Sequence, residues 1–173
     1  MAERFETILE TERLLLRRFV PEDAKAMEGI FCDPEVMYFE DVESPEWVRA
    51  WLKRMIEECY PTWGFGMWAV QEKASGDVIG YCGLSRFPDR CEPHEAELGY
   101  RLMRKHWGKG IATEAVRPTC EFGLKVLGLS RIVAMIDPGN TASLRVAQKL
   151  GMRYQREVMF DGYTHPDHLF ALP

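Results

Sequence analysis

Two hydrophobic periods alternate along this chain, and the changes between them mark its elements. Residues 12–20, ERLLLRRFV, mix leucine and arginine as a first strand does, and Pro21 then opens PEDAKAMEGIF with acids in its first turn, which predicts a helix. Ser44 stands as an N-cap before Pro45, and Val48, Trp51, Leu52, Met55, Ile56 and Cys59 recur at helical spacing, which predicts a second helix. Gly66 to Glu72 and Asp77 to Leu84 are β-rich runs parted by Ala74-Ser75-Gly76, the pattern of a hairpin. After the irregular stretch 87–94, a strand is expected over Ala96 to Met103. A long helix should follow from Gly108 to about Leu127, where Ile111, Ala115, Phe122 and Val126 keep one face. Pro118 removes a backbone donor from that helix, at a cost of about 3 kcal/mol in an ordinary interior, and predicts a kink or a local irregularity.

Arg131 to Ile136 is the cleanest strand. Asp137-Pro138-Gly139 ends it, Asn140 is placed to cap a helix, and Gly151 stops that helix. Met152 to Phe160 and Tyr163 to Leu172 read as a closing hairpin around Asp161-Gly162. A crossover helix between strands 96–103 and 131–136 makes them parallel, so the sheet is mixed and the fold class α/β. No repeat and no linker-like stretch interrupts the chain, which points to a single domain over residues 1–173.

The 173 residues are 46% hydrophobic, with 9 Phe, 6 Tyr and 5 Trp, enough to build a packed core. The balance of 22 Lys and Arg against 27 Asp and Glu, a net −5, argues against nucleic acid as a partner. MAERFETILE has no long apolar run, so neither a secretory signal nor a membrane partner is expected. The five cysteines, at 32, 59, 82, 91 and 120, form no Cys-x-x-Cys pair and read as reduced thiols in the cytoplasm. The average charge conceals two opposed parts: residues 1–100 hold 21 acids and 11 bases, whereas 101–173 hold 6 acids and 11 bases. Within 101–117, Arg101, Arg104, Lys105, Lys109 and Arg117 face Glu114 alone, a local field able to recruit a small polyanion that the net charge would repel.

That basic stretch contains Trp107-Gly108-Lys109-Gly110-Ile111-Ala112-Thr113, at the junction of a strand end and a long helix. Two glycines and an alanine permit close backbone approach, and the open N–H groups and dipole of a helix start favour an anion, so a phosphate belongs there. The competing reading is a tight turn alone. A nucleotide P-loop is excluded, because Met103 occupies its first glycine position and Gly110 follows the lysine. A dinucleotide fingerprint is matched only in part, by Gly108, Gly110 and Thr113, and the first 95 or so residues lack the repeated strand-helix-strand units it requires.

Across nearly the whole chain, from TERLLLRRFVPEDA through GYCGL, ELGYRL, WGKGIATEA and NTASLRVAQKLGM to FDGYTHPDHLFAL, the sequence resembles the GCN5-related N-acetyltransferases (GNAT). Within them it is similar to the branch of ribosomal-protein alanine and serine N-acetyltransferases. The family signature (Gln or Arg, two residues, Gly, one residue, Gly or Ala) falls on Trp107, Gly110 and Ala112, with Trp107 departing from the usual polar residue. The resemblance implies a mixed, mostly antiparallel sheet with helices on both faces, in which strands 96–103 and 131–136 splay to admit acetyl-CoA. Backbone groups of Tyr100, Arg101 and Leu102 would pair with the pantetheine. Trp107 and the N–H groups of Gly108, Lys109, Gly110, Ile111, Ala112 and Thr113 would form the pyrophosphate site. Asn140 would contact the pantetheine arm, unless it serves only as an N-cap.

Acetyl transfer to an amine needs a neutral nitrogen, a stabilised oxyanion and a proton for the thiolate. Glu97 is the candidate base, with Glu95 on the same face, and solvated or ion-paired acids are the alternative for both. A backbone N–H near Leu102 would polarise the carbonyl. The family's thiolate-protonating Tyr is replaced by Ala147, and the resemblance to the branch puts Ser143 in that role. The acceptor is expected to be a primary amine, on a small molecule or a protein N-terminus, and the acidic first half suits a cationic one; a homodimer is allowed. The alternative function is a catalytically silent acyl-CoA-binding module. Cys91 and His94 are at most half a zinc site, so no metal is expected. His165 and His168 read as surface or substrate-cleft residues, and Trp47, Trp51, Trp63, Phe65 and Trp68 as core before acceptor pocket.

Overall fold

A computed structural model describes residues 5–86 and 91–172, so residues 87–90 of the irregular stretch lie outside the described residues. Its strands are β1 (Thr7–Glu10), β2 (Leu14–Arg17), β3 (Met67–Glu72), β4 (Val78–Ser85), β5 (Glu95–Leu102), β6 (Arg131–Ile136), β7 (Arg153–Val158) and β8 (Asp167–Leu172). They form one sheet in the order β1-β2-β3-β4-β5-β6-β8-β7. Every neighbouring pair is antiparallel except β5 with β6, which is parallel as the crossover requires. The expected first strand is shorter than 12–20, and β1 joins it as an edge hairpin that the hydrophobic pattern does not announce. The closing hairpin is present, but β8 sits inside it, between β6 and β7.

Helices α1 (Ala24–Phe31) and α2 (Pro45–Arg54) precede the hairpin, α4 (Ile111–Lys125) is the crossover, and α5 (Thr141–Leu150) follows β6. Ser44 caps α2 by accepting the Trp47 N–H, as its position before Pro45 predicts. Between α2 and the short α3 (Tyr60–Trp63) lies a π-helical turn, Met55–Cys59. Pro61 stands just beyond it and cannot donate a backbone hydrogen bond, the type of defect a π-bulge accommodates. In α4 the helix runs through Pro118 without a break.

Strand alternation separates the two sheet faces. Tyr81 of β4 stacks on Phe31 of α1, with centroids 5.4 Å apart, and touches Trp51 of α2 at 5.6 Å. Its neighbour Cys82 turns the other way and meets Thr119 of α4 at 3.4 Å. Trp68, opposite Cys82 in the register, is fully buried against Phe122 of α4. Trp68, Phe65 and Trp51 are therefore core or its margin, whereas Trp47, against Phe31 and Trp51, stays 38% exposed.

The α1/α2 face is locked by a buried ion pair. Both guanidinium ends of Arg17 reach the Asp23 carboxylate at 2.8 Å, with Gln71 taking the Nε–H at 2.7 Å and the Val20 N–H donating to the same carboxylate. Both side chains are more than nine-tenths buried. Removing one partner leaves the other charge in the interior, so Asp23→Ala should cost about 3–5 kcal/mol in urea unfolding. A loss below about 1 kcal/mol, the range of an exposed pair, would show that water reaches Arg17.

Candidate functional site

The parallel ladder is short. β5 and β6 pair only through Glu95 with Arg131, Ala96 with Ile132 and Glu97 with Val133, although β5 continues to Leu102 along β4 and β6 to Ile136 along β8. Beyond Glu97 the two strands part. The Met103 N–H donates to the Ile79 carbonyl, which fixes the parity of the β4–β5 ladder. Glu97, Gly99 and Arg101 thus commit their backbone groups to β4, and Leu98, Tyr100 and Leu102 turn theirs into the gap. One of these groups is taken: the Trp107 indole N–H donates to the Leu102 carbonyl at 2.8 Å. Trp107 is thereby a pin between loop and strand end, a role its place in the signature does not reveal.

The gap opens onto the glycine loop. Gly108 and Gly110 have φ of 72° and 77°, left-handed values that favour glycine. Gly110 is the N-cap of α4 and brings no side chain to cap it, so the first N–H groups of the helix are left for another partner. Ile111, 3% exposed, roots this turn in the core. The local charge differs from the sequence sum. Arg101 pairs with Glu40 and touches the Met37 Sδ, and Arg104 pairs with Glu35, so two of the five bases are neutralised by the 33–43 segment. This also corrects the expectation for Arg101, whose side chain lies on the α1/α2 face beside Tyr81 rather than with the loop.

The two catalytic candidates lie on opposite faces of the sheet. Glu97, opposite Ser85, shares the α1/α2 face with Arg101 and Tyr81. Ser143 lies in the first turn of α5, where Asn140 caps the helix by accepting its N–H at 3.0 Å, so the N-cap reading of Asn140 holds and uses only the amide oxygen. The Ser143 hydroxyl is close enough to the Tyr100 phenol to act on it without forming a complete hydrogen bond. Burial pushes that phenol up to about 12 while Ser143 draws it down, so Tyr100 is neutral throughout the physiological range. Glu95 is structural: buried, it accepts from Arg131 at 2.9 Å and from the Glu92 N–H at 3.0 Å. Tyr81, a residue the sequence pattern does not single out, is 8% exposed; burial pushes its phenol up to about 12, against Arg101 and with Glu40 and Glu97.

Two segments border the α1/α2 side of the gap. The 33–43 segment is tied to β5 through Arg101 and to the turn after it through Arg104, and its Phe39 ring stands 3.4 Å from where a Cβ on Gly139 would sit. From the β7–β8 connection His165 bonds Asp137, just past β6, at 2.8 Å, while its other ring nitrogen meets Thr164 at 3.1 Å. His168 instead lies in β8 against Tyr154. Cys91 and His94 gather no further ligand: among the described residues no three His, Cys, Asp or Glu side chains converge as a metal site needs. Among those residues, no helix is long and apolar enough to cross a membrane.

Comparison with known proteins matches this geometry. The model of the acetyltransferase (GNAT) domain covers residues 13–153. An uncharacterized N-acetyltransferase, p20, of Bacillus licheniformis is 34% identical over 90% of this chain and 86% of its own. Among solved structures, a GNAT-family acetyltransferase from Bacillus anthracis superposes with a TM-score of 0.80 at 28% identity, covering 97% of both chains. The ribosomal-protein-S5-alanine acetyltransferase from Vibrio fischeri does so with 0.77 at 25% identity, over 95% of this chain and 94% of its own. The splayed strands, the open helix start and these relatives agree: the chain belongs to the GNAT acetyltransferase family and is an N-acetyltransferase that uses acetyl-CoA as donor.

Proposed function

We propose that this protein acetylates a primary amine by direct transfer in a ternary complex, with the donor held in the β5–β6 gap. The observation that carries the reading is the row of backbone groups at Leu98, Tyr100 and Leu102 turned into a gap that ends at an uncapped helix start. A pantetheine amide chain fits such an edge as an added strand, and a pyrophosphate fits the N–H groups of residues 110–113. Acetyl-CoA supplies an activated acyl group on a thiol leaving group. The chain supplies the remainder.

Glu97, on the α1/α2 face, removes the proton that makes the acceptor an ammonium, directly or through water. The Leu102 N–H, directed into the gap, polarises the thioester carbonyl as the N–C bond forms, the nitrogen gives up a second proton to water and the C–S bond breaks. From the other face the Ser143 hydroxyl donates a hydrogen bond to the departing thiolate, which takes its proton from solvent. The acceptor meets Phe39, whose ring approaches Gly139, and Tyr38 edge-on against it, aromatic faces suited to a cationic amine, such as a protein N-terminus or a small-molecule amine.

Release of free CoA thiol over a panel of amines and N-terminal peptides tests this: acceptor-dependent release is expected, and tight acetyl-CoA binding without it would leave a silent acyl-CoA-binding module. Ser143→Ala should keep acetyl-CoA affinity within about twofold while lowering kcat roughly a hundredfold. Unchanged turnover would remove Ser143 from the mechanism. Glu97→Gln should lower kcat/KM by at least about 10²-fold at neutral pH, and the loss should shrink as rising pH deprotonates the amine without help. A pH-independent loss would assign Glu97 to positioning instead.

A further inference from the structure

The pyrophosphate loop carries an acid where an anion is to bind. Glu114 lies in the first turn of α4, close to the open N–H groups of residues 110–113. A carboxylate there favours the bare helix but competes with an incoming phosphate for the same field. The structure draws it aside. Arg13, from the β1–β2 turn and 101 residues earlier in the chain, donates to Glu114 through its Nε–H at 2.6 Å and its backbone N–H at 2.9 Å, and its Nη2 stands 2.6 Å from the same carboxylate. The Thr11 hydroxyl adds a fourth contact at 2.6 Å. Partial burial pushes the Glu114 carboxyl up, but the Thr11 and Arg13 donors together hold it below its ordinary value, so the charge that Arg13 covers is present at neutral pH.

Arg13 also reaches the loop itself. Its Nη1 donates to the Lys109 carbonyl at 3.1 Å. The C=O of residue 109 and the N–H of Gly110 belong to one planar trans peptide and point in opposite directions. Fastening the carbonyl toward Arg13 therefore turns the Gly110 N–H to the other side of that peptide.

We propose that Arg13 is a positioning and charge-shielding residue for the donor site: it neutralises Glu114 and orients the 109–110 peptide, so that the start of α4 accepts a pyrophosphate. This rests on the reading that residues 108–113 hold the pyrophosphate of CoA. The shield acts on phosphate binding and not on the acyl chemistry.

Calorimetric titration of the full chain with CoA and with pantetheine, which lacks the phosphates, tests it. Arg13→Met should weaken CoA binding about tenfold or more, by exposing the Glu114 charge, and leave pantetheine binding unchanged. Glu114→Gln should bind CoA at least as tightly as the unaltered protein, and the double variant Arg13→Met/Glu114→Gln should recover most of the loss. A buttressing role alone would not give that rescue. If the double variant binds CoA as weakly as Arg13→Met, the shield is refuted while the pyrophosphate reading stands. If the unaltered protein binds CoA no better than pantetheine, the pyrophosphate reading falls and the proposal with it. Should Arg13→Met fail to fold, Glu114→Gln decides: weaker CoA binding by that variant overturns the shield.

Discussion

An unfinished ladder organises this protein. Backbone N–H and C=O groups inside a fold demand partners, and a strand that parts from its neighbour after three paired residues leaves a row of them unanswered. The surroundings of the gap make that arrangement tolerable. β4 and β8 hold the outer sides of β5 and β6, so neither strand can close on the other without breaking a complete antiparallel pairing. Trp107 answers one carbonyl at the rim. The rest form a ready edge for an extended, amide-bearing molecule, a defect in hydrogen bonding that the sheet maintains.

The same gap separates two chemistries. Because side chains alternate along β5, Glu97 lies on the α1/α2 face while Ser143 sits at the start of α5 on the other, and only something that passes between the strands reaches both. One face is aromatic and acidic around Tyr81, Arg101 and Glu40; the other holds Tyr100 and the start of α5. On the proposed reading, an acceptor arriving on the first face and a thiol leaving on the second would not compete for the same space, which suits transfer without a covalent enzyme intermediate.

Much of this was legible in the residues. The hairpin at Ala74-Ser75-Gly76, the parallel pair either side of α4, the Asn140 cap and the left-handed glycines follow from local rules of period, capping and turn chemistry. What stayed hidden depends on contacts between distant segments. β1 is a four-residue edge strand with no distinct pattern, and the π-turn at Met55–Cys59 adjusts to Pro61 within a sequence that reads as plain helix. The basic run 101–117 looked more open than it is, because Glu35 and Glu40 reach it from an irregular segment more than sixty residues earlier. Arg13 was visible only as one residue of a strand, since nothing in a linear pattern links it to Glu114.

The position of β8 between β6 and β7 has a consequence for exposure of the sheet edge. β6 precedes its outer partner in sequence by some thirty residues, and β7, which lies between them in the chain, ends one strand further out, paired to β6 only through β8. Without β8 the flank of β6, rich in Ile132, Val133 and Ile136, would be an adhesive edge of the type that seeds association between chains. β7, destined for the rim, is instead dressed with Arg153, Gln155, Arg156 and Glu157 and broken by an irregularity in its register. The connection that carries the chain from β7 back to β8 also brings His165 to Asp137, so the strand that covers the flank of β6 ties down the turn at its end as well.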